Sequence, residues 1–121
     1  MLNSTNIVGR LTDDPDLRYL DDGTAVVNFT IAVNRNYDRD KTDFIDCVAW
    51  RKTAEFAADY LRKGNITAVD GKLQTRTYED QQGNNRKQTE IRCDNIQPIE
   101  WPNDDEQQSN DNQQESVEVP F

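Results

Sequence analysis

The sequence contains no histidine and only two cysteines, Cys47 and Cys93, among its 121 residues. Two cysteines without histidine cannot complete the four-ligand shell that zinc usually takes, so we expect no metal site. A Gly-rich phosphate loop is also missing, and the paired acids Asp13/Asp14 and Asp21/Asp22 fall in turn-forming stretches. These absences remove the usual parts of an active site, so we expect neither an enzyme nor a bound cofactor.

Long apolar runs are missing as well. No apolar leader follows Met1, and no stretch is apolar for long enough to cross a bilayer, so we expect no membrane partner and a cytoplasmic location. Cys47 and Cys93 both lie in strand-like apolar patterns, where buried free thiols are typical of a reducing compartment. A Cys47–Cys93 disulfide is the alternative.

Basic residues are few, and none occurs in residues 102–121. The whole chain has 14 basic and 23 acidic residues and a net charge of −9. Residues 102–121 contribute six acids to this total, which leaves a charge of −3 on residues 1–101. Any surface that binds phosphate must therefore be a local basic stripe rather than the field of the whole protein.

Residues 103–116 contain only Asp, Glu, Gln, Asn and Ser. Such a composition buries too little apolar surface to offset its ordering entropy, so we predict a disordered tail over residues 102–121. The tail ends in an apolar tip, which is either a harmless frayed end or a peptide ligand for a basic-rimmed apolar pocket on another protein. The candidate partner-binding residues of the tip are Glu115, Glu118, Val119, Pro120 and Phe121.

The stretch from residue 34 to residue 52 combines a turn, a strand with two unlike faces and the entry to a helix. Strand alternation places one set of side chains together, namely Phe44, Asp46, Val48 and Trp50, and opposes it to Ile45, Cys47 and Ala49. Two large rings beside an acid are unusual on a water-facing strand. With Arg35, Arg39, Arg51 and Lys52 nearby, the rings predict a surface that stacks bases and neutralises phosphates. The alternative is that both rings are core and the Ile45 side faces a partner.

A later strand repeats this combination of cations and a ring. Alternation after Gly71 places four side chains on one face, which are Lys72, Gln74, Arg76 and Tyr78. Taken alone, this face also fits an ordinary solvated strand with a surface tyrosine.

The pattern of the whole chain predicts short strands at residues 7–11, 17–20, 24–34 and 44–50, then a helix at residues 53–63 with Gly64 as its left-handed C-cap. A strand bent at Gly71 follows over residues 66–79, and a last strand over residues 87–101 places Ile91, Cys93 and Asn95 on one side. Taking the short piece at residues 17–20 together with the first strand, we count five strands with one helix between the third and the fourth. This order predicts an all-β OB-fold, a small five-stranded Greek-key barrel.

Four stretches, NIVGRLTDDPDLRYLDDGTAVVNFTIAVNRNY, DFIDCVAWRKTAEFAADYLRKG, VDGKLQTRTYEDQQG and the terminal VPF, resemble the bacterial single-stranded DNA-binding proteins of the firmicute or phage type. The resemblance covers most of residues 6–83 in family order, plus the tip. It implies an OB-fold domain over residues 1–101 that forms a homotetramer and coats single-stranded DNA without sequence preference. It further implies roles in replication, recombination and repair at the nucleoid, with replication and repair proteins recruited through residues 102–121.

The same resemblance places the base-stacking positions on Tyr37, Phe44, Trp50 and Tyr78. It places the cations that follow the DNA backbone on Arg18, Arg35, Lys52, Lys63 and Arg76, to which strand parity and proximity add Arg51 and Lys72. Asp46 lies where relatives often carry a basic or neutral residue, so we expect it to weaken phosphate contact locally. The alternative function is a primosome-type OB-fold adaptor that binds mainly protein and buries its aromatics in a subunit interface.

Overall fold

The computed structural model describes residues 1–99, so the tail and its tip lie outside the described residues. The elements in chain order are β1 (Thr5–Leu11), β2 (Asp16–Tyr19), β3 (Ala25–Arg35), β4 (Asp38–Trp50), α1 (Arg51–Tyr60), β5 (Ile66–Glu79) and β6 (Asn85–Pro98). The helix follows the fourth strand because the short β2 is a separate element.

The sheet closes into a barrel of five strands, in the order β1, β5, β6, β4, β3 and back to β1. The β4–β6 pairing is parallel and the other pairings are antiparallel. β2 pairs with the first half of β3, whereas the end of β1 pairs with the second half through Arg10↔Ala32 and Leu11↔Ile31. β1 and β2 therefore follow each other along one edge of β3, and the predicted OB-fold is confirmed.

The core includes one face of β3. Its buried side chains on that strand are Ala25, Val27, Phe29 and Ile31. They pack in one cluster with Cys47 and Ala49 of β4 and with Ala54 and Ala57 of α1. Within the described residues both cysteines are free and buried, as expected, and hydrogen bonding to Cys93 together with burial raises the pKa of Cys47.

The helix begins and ends earlier than the sequence predicts. Leu61 already has an extended backbone, with φ −95° and ψ 143°, and its buried side chain still joins the core. The side chain of Asn65 accepts a hydrogen bond from the backbone N–H of Arg62 at 2.8 Å, which stabilises a separate turn after the helix. Gly64 does have a positive φ of 89°, but it lies in this turn and is not the helix C-cap.

A β-bulge changes the direction of the side chains on β6. The β5–β6 register passes from Asp70↔Asn95 to Gly71↔Cys93, so Asp94 is the extra residue. As a result Asn95 is exposed, contrary to the prediction, and Ile96 points into the core. Gly71 lies at this irregularity, and a Cβ there would lie 2.1 Å from the carbonyl oxygen of Arg92, so the close approach of the two strands requires a glycine.

Among residues 1–99, no helix combines the length and the apolar character that crossing a membrane requires.

Candidate functional site

Three of the four predicted stacking rings are open to water on the surface of the barrel. The exposed fraction is 66% for Phe44, 45% for Tyr78 and 83% for Tyr37. Trp50 is half-buried. Phe44 and Trp50 lie on the same face of β4, about 20 Å apart at roughly 3.3 Å per residue. The alternative that both β4 rings are core is therefore wrong for Phe44.

Tyr37 owes its exposure to a tighter hairpin than the sequence predicts. β3 runs to Arg35 and β4 starts at Asp38, so the turn is formed at residues 36–37, whereas the predicted strands end at residue 34 and resume only at residue 44. Arg35 and Asp43 join the two strands below this turn, with Nε to Oδ2 at 3.1 Å and Nη2 to Oδ1 at 2.9 Å. These hydrogen bonds raise the pKa of Arg35 and lower the pKa of Asp43.

Trp50 lies at the junction of β4 and α1, opposite Val26 of β3. The guanidinium carbon of Arg92 on β6 lies 5.8 Å from the centre of the Trp50 ring, within the range of a cation–π contact. The indole N–H is buried, and it has no hydrogen-bond partner within the described part of the chain. The sequence analysis did not include Arg92 among the candidate cations. The signal that could have identified it is strand parity, which places Arg86 and Arg92 on the same face of β6.

Four of the seven predicted backbone-binding cations form ion pairs with nearby acids. The pairs are Arg18–Asp16 at 2.9 Å, Arg35–Asp43 at 2.9 Å, Lys72–Asp94 at 2.8 Å and Arg76–Glu90 at 3.5 Å. The other three, Arg51, Lys52 and Lys63, are exposed and form no ion pair with any residue in 1–99. The pairs of Arg18, Arg35 and Lys72 are exposed on both sides and contribute little to stability, so a phosphate can compete for these three cations at small cost. The acid that pairs with Arg76 is buried, with 8% of its side chain exposed.

An open groove of about 420 Å³ lies on the outer surface of the barrel. Its lining includes five acids and two cations, which are Asp13, Asp14, Asp16, Asp46, Glu90, Arg18 and Arg76. The four predicted rings are not part of this lining. The sequence interpretation treated Asp13 and Asp14 as turn residues only, because their approach to β4 and β6 depends on the closed barrel.

Each carboxylate oxygen of Asp46 accepts a hydrogen bond from a neighbouring side chain. It accepts hydrogen bonds from Thr30 Oγ1 at 3.1 Å and from Gln88 Nε2 at 3.0 Å. Gln88 also accepts from Arg76 Nη2 at 2.9 Å, and the Arg76 guanidinium carbon lies 5.6 Å from the centre of the Tyr78 ring. Asp46, which was expected to weaken phosphate contact, is thus connected through Gln88 to Arg76 and through Arg76 to Tyr78.

Within residues 1–99, no group of three or more His, Cys, Asp or Glu side chains is arranged to hold a metal ion.

A small closed barrel with this strand order is an OB-fold domain, and here it carries exposed rings and cations on its outer surface. The Single-strand binding protein family matches residues 2–99, and the chain belongs to this family. Membership of a binding family agrees with the expectation that the chain is not an enzyme.

The chain is similar to several curated firmicute proteins. It is 53% identical over 105 residues to the Single-stranded DNA-binding protein of Enterococcus faecalis, an alignment that covers 83% of this chain and 55% of the relative. It is 49% identical over 107 residues to the Single-stranded DNA-binding protein A of Bacillus subtilis, covering 85% and 62% of the two chains. A Single-stranded DNA-binding protein of Bacillus cereus is 49% identical over 121 residues, covering 96% and 71%. The chain thus spans between about half and two-thirds of the length of the first two relatives.

Proposed function

We propose that this protein binds single-stranded DNA without sequence preference. The observation that carries the proposal is the exposure of flat rings beside cations on the outer surface of an OB-fold barrel. Every base has a π-face, so stacking on such rings tolerates any sequence. We assign stacking to Tyr37, Phe44, Trp50 and Tyr78, and contact with the DNA backbone to Arg18, Arg35, Arg51, Lys52, Lys63, Lys72 and Arg76.

A titration of a dye-labelled oligo(dT) tests this function, with a duplex of the same length as the control. We expect the single strand to raise the anisotropy at much lower protein concentration than the duplex. Binding should weaken with salt, with a log–log slope of about −0.7 per neutralised phosphate. Equal affinity for both DNA forms, or no binding, would instead favour the adaptor that binds mainly protein.

We propose a division of labour between residues 1–101, which bind DNA, and residues 102–121, which recruit replication and repair proteins. The six acids of the second segment repel phosphate, and its apolar end offers a short peptide for docking. In this proposal the protein acts where single strands arise in replication, recombination and repair, in the cytoplasm at the nucleoid. Removal of residues 102–121 should leave or slightly strengthen DNA binding and abolish recruitment. A truncated chain that loses DNA affinity would contradict this division.

We further propose that the protein assembles as a homotetramer, with β1 as one of the contact elements. Residues 5–9 of β1 pair with β5 on one side, and within the described chain their other edge has no strand partner. Unpaired strand edges are templates for pairing with another chain. Val8 on this strand is 55% exposed and lines a shallow groove of about 220 Å³ together with Ala68.

Native mass spectrometry tests the assembly. We expect a mass of four chains for the protein, and smaller species for Val8→Asp, which places a charge on the proposed contact. A wild-type protein that remains monomeric at micromolar concentration would contradict the proposal.

A further inference from the structure

A continuous set of polar side chains crosses the outer surface of the barrel from β3 to β5. We call it the Asp46–Glu90 network, and its members are Thr30, Asp46, Gln88, Arg76, Glu90 and Gln74. Asp46 joins β3 to β6, because its two carboxylate oxygens accept from Thr30 and from Gln88. Gln88 then joins β6 to β5 by accepting from Arg76 at 2.9 Å.

Glu90 is the buried end of this network. Its side chain is 8% exposed, whereas the side chain of Arg76 is 55% exposed. One Glu90 oxygen accepts from Arg76 Nε at 3.5 Å and the other from Gln74 Nε2 at 3.4 Å. A buried carboxylate is costly unless it is paired, so Glu90 favours the conformation in which the Arg76 guanidinium stays beside it.

Arg76 connects this buried acid to a predicted stacking ring. Its guanidinium lies 5.6 Å from the ring centre of Tyr78, a distance at which the cation is attracted to the ring face. Tyr78 belongs to a two-stranded arm formed by residues 75–79 of β5 and residues 85–89 of β6. Residues 75–79 and 85–87 are all exposed, so this part of the arm has no buried side chain of its own to fix its position.

We infer that Glu90 and Asp46 are positioning residues for DNA binding. They hold Arg76, and through it Tyr78 and the arm, in place relative to Phe44 on β4. This inference rests on the proposed binding of single-stranded DNA. The inference predicts that removal of Glu90 or Asp46 weakens DNA binding. Charge alone predicts the opposite change, because an acid near the DNA repels phosphate and its removal should strengthen binding.

Glu90→Gln tests whether loss of this acid weakens or strengthens DNA binding, since it keeps the shape of the side chain and removes the charge. We expect affinity for oligo(dT) to fall about tenfold, the scale of a lost hydrogen bond to a charged group. Glu55→Gln is the matched control, because it removes the same charge from an exposed position on α1 and should leave affinity unchanged or slightly higher. Glu90→Gln affinity equal to or above that of the wild type would overturn the inference.

A double-mutant cycle separates positioning from a general structural effect. If Glu90 acts through Arg76, then Glu90→Gln produces no further loss of affinity in an Arg76→Ala background. A loss of the same size in both backgrounds would show that Glu90 acts by another route and would overturn the inference.

Amide hydrogen exchange without DNA tests whether the contact between Glu90 and Arg76 holds the arm in place. Its result does not depend on the proposed function. We expect the amides of the arm to exchange faster in Glu90→Gln than in the wild type, with the barrel strands unchanged. Gln88→Met breaks the link between Asp46 and Arg76 without any change of charge, so it should have the same effect and serves if Glu90→Gln does not fold. Unchanged exchange in the arm would overturn the inference, whereas a wild type that binds no oligo(dT) would overturn the proposed function instead.

Discussion

Phe44 is the residue at which stacking can be separated from ordinary apolar contact. Its ring is 66% exposed, so it contributes little to the core, and changes there should alter stability by no more than about 0.5 kcal/mol. Leucine keeps much of the apolar volume but has no flat π-face. We therefore predict that Phe44→Leu weakens oligo(dT) binding by about 1–3 kcal/mol and leaves the unfolding temperature unchanged.

Phe44→Trp is the control for this prediction, because it enlarges the π-face and should bind at least as tightly as the wild type. Anisotropy titrations of both variants, beside their thermal unfolding curves, provide the measurement. Wild-type affinity in the leucine variant would remove stacking from the role of Phe44.

Arg51 has a backbone conformation that is unfavourable for its residue type. Its φ is +57°, and it is the one non-glycine residue with positive φ among the described residues. The left-handed region costs a non-glycine residue roughly 1–2 kcal/mol. We predict that Arg51→Gly raises the free energy of unfolding by about 1 kcal/mol and reduces the magnitude of the salt slope for DNA binding by about 0.7, since one cation is lost.

Lys52→Gly is a matched control at the next position. It also removes one cation, but Lys52, the second residue of α1, has no such strain, and the greater backbone freedom of glycine in the unfolded chain costs roughly 0.5–1 kcal/mol. Urea unfolding should therefore move in opposite directions for the two variants, while the two salt slopes change alike. A loss of stability in Arg51→Gly would show that its backbone is not a source of strain.

The turn between β5 and β6 is the element whose stability should depend on pH. Asp80 accepts from the backbone N–H groups of Gln82 and Asn84, each at 2.9 Å, and pairs with Arg86 at 2.9 Å. The hydrogen bond from Arg86 is the main cause that lowers the pKa of Asp80. Since the pKa is lower in the folded state, the contribution to stability is present above the unfolded-state value of about 4 and is lost as pH falls through the folded value.

Asp80→Asn tests this dependence. We predict that the variant is less stable than the wild type at neutral pH and that the difference shrinks as pH falls below about 4. Urea unfolding at a series of pH values measures the two stabilities. A difference that stays constant down to the lowest pH at which the chain remains folded would show that the carboxylate of Asp80 is not involved.

The strands and the helix were predictable from the sequence to the extent that their signals are local. Alternation along β4 depends only on neighbouring residues, and it correctly grouped Cys47 and Ala49 on one buried face, although Val48 of the opposite face is buried as well. The end of α1 was not predictable in this way, because the Asn65 side chain competes for the backbone N–H of Arg62. The prediction that Asn95 shares a face with Ile91 and Cys93 was wrong for a different reason. The bulge at Asp94 reverses the alternation, and it arises from pairing with β5.

At the scale of the whole molecule, the rings of the candidate site were easier to predict than its polar contacts. The parity of one strand places Phe44 and Trp50 on the same face and leaves open whether that face is exposed, and the structure exposes Phe44. The bonds of Asp46 join residues that are 16 and 42 positions apart, so they exist only after the barrel closes. The ion pairs of Arg35 and Lys72 likewise depend on the register between strands, which the sequence does not state.

The charge distribution indicates how the whole barrel should bind DNA. Residues 1–101 have a net charge of −3, and four of the seven candidate cations are already paired with acids. Attraction of phosphate by the whole barrel is therefore weak, and stacking of bases on the exposed rings must supply much of the affinity. This is the central claim of the account.

The fluorescence of Trp50 tests this claim most directly. The chain has two tryptophans, so Trp101→Phe leaves Trp50 as the single emitter. We predict that oligo(dT) quenches this emission in proportion to the binding seen by anisotropy, and that the duplex does not at the same concentration. Saturated binding of oligo(dT) with unchanged Trp50 emission would contradict the claim that bases lie against the rings of the barrel.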